Sequence, residues 1–92
     1  MGQDVFSDIG FSKEDSEKLK IKSILMMYLT QYIKRSGMTQ EQAARTLGVR
    51  YQSRISDLIR GRIDKFTIDA LVKMVARTDH HVNVSVELDK VA

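Results

Sequence analysis

Thr-Gln-Glu-Gln-Ala-Ala-Arg-Thr-Leu-Gly-Val-Arg-Tyr-Gln-Ser-Arg-Ile-Ser-Asp-Leu-Ile-Arg-Gly-Arg, residues 39 to 62, is the stretch that decides the fold. Thr39 carries the short hydroxyl side chain of an N-cap, and Gln42 stands three residues later, where a capping box needs an amide. Ala43, Ala44 and Leu47 give the first helix an apolar edge with two small members, so another helix can approach closely. Gly48 stands where a helix ends on a left-handed residue. Beyond Val49, the residues Ile55, Leu58 and Ile59 recur at spacings of three and four, the mark of a second helix, and Gly61 closes it. Two short helices about a glycine joint, the second rich in arginine, make the helix-turn-helix pattern, whose second helix enters the major groove of DNA. The stretch predicts a domain that reads DNA sequence.

Charge follows the same division. The chain carries +3 overall, but residues 1–17 hold five acidic side chains against Lys13, a net of −4. Residues 18–62 hold ten basic side chains against Glu41 and Asp57, a net of +8, and residues 63–92 a net of −1. Positive charge therefore gathers on the segment that would neutralise phosphates.

Ninety-two residues make one small domain, able to bury roughly 60–65% of the surface its unfolded chain exposes. With no cysteine there is no disulfide framework, thiolate metal site or cysteine nucleophile. No basic start leads into an apolar run of signal-peptide type, and Ile24 to Leu29 is too short to span a bilayer. A cytoplasmic protein with no membrane partner is expected. Catalysis is not: the glycines are scattered as caps and turns, and no two carboxylates form a recognisable acid–base pair. His80 and His81 are adjacent and lack a third ligand, so neither metal, cofactor nor small-molecule substrate is expected.

Outward from the central stretch, residues 1–11 alternate acidic and apolar side chains, and Val5, Phe6, Ile9 and Phe11 predict an arm packed on its own domain, with a partner-binding arm as the alternative. A long helix is predicted over 12–36, with Glu14, Asp15 and Glu17 near its positive end and Lys34 and Arg35 near its negative end. Its inward stripe is read as Ile21, Leu25, Tyr28, Leu29 and Tyr32. Ile24, Met26, Met27 and Ile33 widen the apolar surface enough for a second buried face. After the helix-turn-helix at 39–61, Thr67 caps a closing helix over 67–78, with Ile68, Leu71, Val72 and Val75 inward and Met74 beside them. Over 82–88 the period changes to two: Val82, Val84, Val86 and Leu88 alternate with polar residues, which predicts a strand. A lone strand leaves its backbone groups unpaired. It can pair with Asp4–Ser7 or with the same strand of a second copy, and the second solution makes a two-fold homodimer suited to a palindromic operator. Val82, Val84, Val86 and Leu88 would then form the dimer interface.

The sequence resembles the lambda-repressor-like (XRE-type) helix-turn-helix proteins and, among them, the small HigA-like antitoxins. The resemblance rests on Val5-Phe6-Ser7-Asp8-Ile9-Gly10-Phe11, Met38-Thr39-Gln40, Ala43-Ala44 and Leu47-Gly48-Val49. It continues in Arg54-Ile55-Ser56-Asp57-Leu58-Ile59-Arg60-Gly61-Arg62, in Phe66-Thr67-Ile68-Asp69-Ala70-Leu71 and in the closing alternation. It implies a mainly α, lambda-repressor-like bundle of four to five helices with a C-terminal β-strand. It also implies a dimer that represses its own operon and neutralises a ribonuclease toxin of the RelE-like class. A stand-alone repressor without a toxin, and a protein-interaction module that binds no DNA, are the alternatives. One departure stands out: the family's apolar anchor lies six residues after the turn glycine, whereas here Arg54 is sixth and Ile55 seventh. The joint reads one residue longer, with Arg50 the extra residue and the N-cap at Arg50, Tyr51 or Gln52.

These readings give a site. Tyr51, Gln52, Ser53 and Arg54 open the recognition helix and are expected at base edges, where Gln pairs with adenine and Arg with guanine. Thr39 and Gln40 at the first helix, with Arg50, Arg60, Arg62 and Lys65 around the second, are expected on phosphates. Asp57 is expected to orient Arg54 and Arg60.

Overall fold

A computed structural model describes residues 12–89 of the 92-residue chain. They form four α-helices: α1 (Lys13–Ser36), α2 (Gln40–Thr46), α3 (Gln52–Ile59) and α4 (Ile68–Ala76), with a 3-10 turn at Ile63–Lys65. The predicted arm and its Asp4–Ser7 pairing lie outside the described residues.

Local chemistry sets the starts of α1, α2 and α4 and the ends of α2 and α3. Ser12, in extended conformation, accepts the Asp15 N–H at 3.1 Å and starts α1 with Glu14 and Asp15 in its first turn. Lys34 and Arg35 fall in its last turn. At α2 the capping box is complete: Thr39 Oγ1 accepts from Gln42 N at 3.1 Å, and Gln42 Oε1 accepts from Thr39 N at 2.9 Å. Thr67 caps α4 through the Ala70 N–H. The joint after α2 is a Schellman turn: Val49 N donates to Ala44 O at 2.8 Å and Gly48 N to Arg45 O at 3.3 Å, with Gly48 at φ 72°. The same pattern closes α3, where Arg62 N donates to Asp57 O and Gly61 N to Leu58 O, with Gly61 also at φ 72°.

The two glycines differ in what surrounds them. A Cβ on Gly61 would meet open space, whereas one on Gly48 would lie 3.1 Å from the Arg77 guanidinium. Arg77 also donates from Nε to the Thr46 carbonyl at 3.4 Å, a cation at the negative end of α2. Gly61→Ala should therefore cost about 1–2 kcal/mol for the left-handed backbone alone, and Gly48→Ala more, because Arg77 must also move. Urea denaturation of both variants checks this; equal losses would mean that Arg77 gives way freely.

Helix α1 packs across α4 and α3, and α2 packs on α3. Leu25, Met26, Leu29 and Ile33 enter the core from α1, with Tyr28 and Tyr32 partly buried beside them. Ala43, Ala44 and Leu47 come from α2 and its end, Ile55 and Leu58 from α3, Phe66 from the link, and Leu71, Met74 and Val75 from α4. Two expected stripes are thereby corrected. In α4 it is Met74, three residues after Leu71, that is buried, and Val72 is 38% exposed. In α1 the inward face is rotated towards Met26 and Ile33, while Ile21, Ile24 and Met27 face outwards at 44%, 66% and 63% exposure.

The C-terminal segment departs most from expectation. Residues 81–89 form no strand. Alternation supplies two faces, but a strand exists only through hydrogen bonds to a neighbour, and no described segment runs beside this one as a strand. Val82 packs partly against the core, while Val84, Val86 and Leu88 are 77%, 92% and 94% exposed. The segment is held at both ends. At its start Tyr28 bridges Thr78 Oγ1 (3.0 Å) and His80 Nδ1 (2.7 Å). At its end Asp89 meets Lys13 at the first turn of α1. Their hydrogen bond, then their mutual attraction, holds the Asp89 carboxyl below the ordinary carboxylate range and raises Lys13. This clasp is complete between those limits, lost as pH falls through the lowered Asp89 value or rises through the raised Lys13 value. Both groups are exposed, so solvent screens the pair strongly.

Candidate nucleic-acid interface

The tip of α3 is bare. Tyr51 is the N-cap, extended at φ −121° and ψ 136°, and its side chain makes no capping hydrogen bond. No acidic residue lies in the first turn, so the positive end of the helix dipole is unopposed. Tyr51 is 61% exposed, and Gln52 and Ser53 beside it are exposed as well. The Arg50 guanidinium stands 5.7 Å from the centre of the Tyr51 ring, which keeps a cation at this tip. Of the three capping residues left open by the sequence, Tyr51 takes the position, and Arg50 sits in the joint just before it.

The face of α3 away from the core follows from its buried side. Ile55 and Leu58 point inward, so Ser53, Ser56 and Arg60 fall on the outer half of the helix. Ser56, half-buried at the edge of this face, was missed by sequence reasoning. Its signal was the spacing of three from Ser53, which a choice confined to the start of the helix passes over.

The remaining predicted residues divide. Arg60 and Lys65 are exposed, and neither is in an ion pair among the described residues. Arg62 is exposed but lies 3.8 Å from Asp57, a long ion pair across the end of α3. Asp57 therefore faces Arg62, and not Arg54 or Arg60 as expected, because the turn at Gly61 folds residue 62 back over the last turn of the helix. Thr39 and Gln40 start α2: the Thr39 hydroxyl is engaged in the capping box and Gln40 is half-buried. Arg54 is set apart from the others, since its Nη1 donates to the Lys65 carbonyl at 2.8 Å and its guanidinium lies 4.4 Å from the centre of the Phe66 ring. The four residues expected at the dimer interface are in the C-terminal segment, with Val82 against the core and Val84, Val86 and Leu88 bare.

What this arrangement can do is recognition. An exposed amide, a hydroxyl and a phenol stand on a helix end, with Ser56 half-buried a turn on, Arg50 beside them and Arg60 and Lys65 further along. Hydrogen-bonding heads select base edges and cations hold phosphates. Among the described residues, no group of three or more His, Asp or Glu side chains could hold a metal ion, and no helix is long and apolar enough to cross a membrane. No curated protein matches this sequence. The helix-turn-helix domain family matches it over residues 5–87, a span that takes in all four helices and the joint between α2 and α3. With the fold, the glycine joint and the bare second helix in agreement, the chain belongs to the helix-turn-helix domain family of DNA-binding proteins.

Proposed function

We propose that this chain is a sequence-specific transcriptional regulator that acts as a homodimer on a palindromic operator, as the antitoxin of a type II toxin–antitoxin pair. The observation that carries the regulatory reading is the uncapped tip of α3, with Tyr51, Gln52 and Ser53 exposed and no acidic side chain in its first turn. A solvated protein surface would normally mix both signs of charge; a tip without carboxylates is suited to phosphate and base edges. Its role is binding and not catalysis, in the cytoplasm, with no cofactor.

Dimerisation is supported by the C-terminal segment, which exposes Val84, Val86 and Leu88 in alternation and is held at its two ends. Pairing with the same segment of a second copy would complete the strand and cover those side chains. The antitoxin role is supported by the resemblance to the HigA-like proteins. Charge adds to it: Glu14, Asp15 and Glu17 open α1 and would meet a basic, RelE-like ribonuclease toxin favourably. In this reading the chain represses its own operon and neutralises that toxin. The alternative is a stand-alone XRE-type repressor, which the adjacent reading frame separates from an antitoxin: a small basic RelE-like neighbour favours the pair.

A gel shift on the DNA upstream of the chain's own reading frame, run across a range of salt, tests the regulatory function. Binding should weaken steeply with salt, and Arg60→Ala should reduce the slope of log K against log salt by about 1, the loss of one phosphate contact. It should lower binding to unrelated DNA by the same factor. Binding to neither DNA at low salt would dismiss the regulator and leave a module for protein partners.

A further inference from the structure

Arg54 stands near the exposed tip of α3, yet its guanidinium is directed back into the chain. Nη1 donates to the Lys65 carbonyl at 2.8 Å, and the group lies 4.4 Å from the centre of the Phe66 ring. Phe66 is itself a core residue, 1% exposed, and Arg54 is half-buried over it. The cause lies in the helix register. Arg54 is four residues before the buried Leu58 and shares its stripe, turned about 100° from Ser53 and about 160° from Ser56. Counted from the turn glycine Gly48 this arginine is the sixth residue, and the buried anchor of the helix, Ile55, is the seventh. Its flat guanidinium lies over the aromatic face and Nη1 donates to the carbonyl, two directional contacts that a guanine edge would have to replace together.

We infer that Arg54 is a positioning residue that fixes α3 against the 3-10 turn, and that base edges are read without it, by Gln52, Ser53 and Ser56. The inference rests on the DNA-binding function proposed above and specifies its ligand. Gln52 is the one exposed amide at the tip of α3, and an amide pairs bidentately with adenine N6 and N7, whereas serine hydroxyls accept or donate with any base. The operator half-site should carry a strongly preferred adenine opposite Gln52 and no guanine preference that depends on Arg54.

The test is selection from a library of randomised duplexes with the full chain and with Q52A, R54K and R54M. Each is used at a temperature where circular dichroism shows it fully folded, which removes simple loss of stability from the comparison. Q52A should lose the adenine preference. R54M should keep every base preference of the parent chain while binding its selected duplex about tenfold more weakly, as a support that no longer holds the reading helix in place. R54K keeps the charge and a donor for the Lys65 carbonyl and should bind with an affinity between those of the parent and R54M. A base preference that vanishes in R54M would overturn the inference, as would R54M binding as tightly as the parent, or an adenine preference that survives Q52A. A parent chain that selects no motif would overturn the DNA-binding function itself, an outcome separate from these.

Discussion

Phe66→Ala should remove about 3–5 kcal/mol of stability, a large share of what a domain of this size possesses. Phe66 is 1% exposed and follows the 3-10 turn, where the chain passes from the recognition helix to α4. Its ring fills the core on one side and supports the Arg54 guanidinium on the other, so truncation opens a cavity and takes away the surface on which that arginine rests. Taking the ring from beneath a half-buried cation adds the loss of that contact to the cost of the cavity. Phe66→Leu keeps much of the volume and should cost roughly 1–2 kcal/mol. Urea denaturation followed by circular dichroism gives both numbers. A loss below about 1 kcal/mol for the alanine variant would mean that the core closes over the gap and that Phe66 is not a keystone of the link.

The elements that were legible in the sequence are those whose causes are local. Thr39 with Gln42, Ser12 and Thr67 each act on a backbone N–H three residues away, and Gly48 and Gly61 act through their own φ, so a one-dimensional pattern contains the whole mechanism. The helix-turn-helix was readable for the same reason. Arg54 was not, because its partners are 11 and 12 residues further on and reach it only after the turn at Gly61 and the 3-10 turn have formed. Sequence reasoning placed it by its nearness to Tyr51, Gln52 and Ser53; the helix turns it to another side. Ser56 was passed over because the candidates were drawn from the start of the helix, Tyr51 to Arg54, while Ser56 lies a turn further on, on the outer half with Ser53.

The apolar surface shows a different limit. Counting apolar residues in α1 predicted two buried faces, and one face is indeed covered, by α3 and α4. Ile24 and Met27 remain outside, and so do Val84, Val86 and Leu88 beyond α4. Periodicity says which side chains share a face; what covers that face is a property of the other surface. For residues 82–88 the alternation was correctly seen and the strand was not there, since half of any strand pair belongs to its neighbour.

That missing half sets the second prediction. If a second copy supplies it, Val84→Lys together with Val86→Lys should convert a dimer into a monomer and weaken binding to a palindromic duplex by about 100-fold or more. The two side chains are 77% and 92% exposed in the single chain, so lysine there leaves the fold of each copy intact, and melting should lose only the concentration dependence that a dimer confers. In a paired strand they would face each other or the partner's apolar residues, and like charges would meet directly. Affinity for a duplex with one half-site should stay at the parent value, because the tip of α3 is untouched; only the advantage of engaging two half-sites at once disappears. Asn83→Lys with Ser85→Lys is the control: it adds the same charge to the same segment on the alternate face and should leave the dimer in place. Sedimentation equilibrium reads the assembly and titration of the two duplexes reads the affinity. A parent chain that sediments as a monomer, or a Val84/Val86 variant that remains a dimer, would remove the C-terminal segment from the interface and require another surface to bring two recognition helices onto one operator.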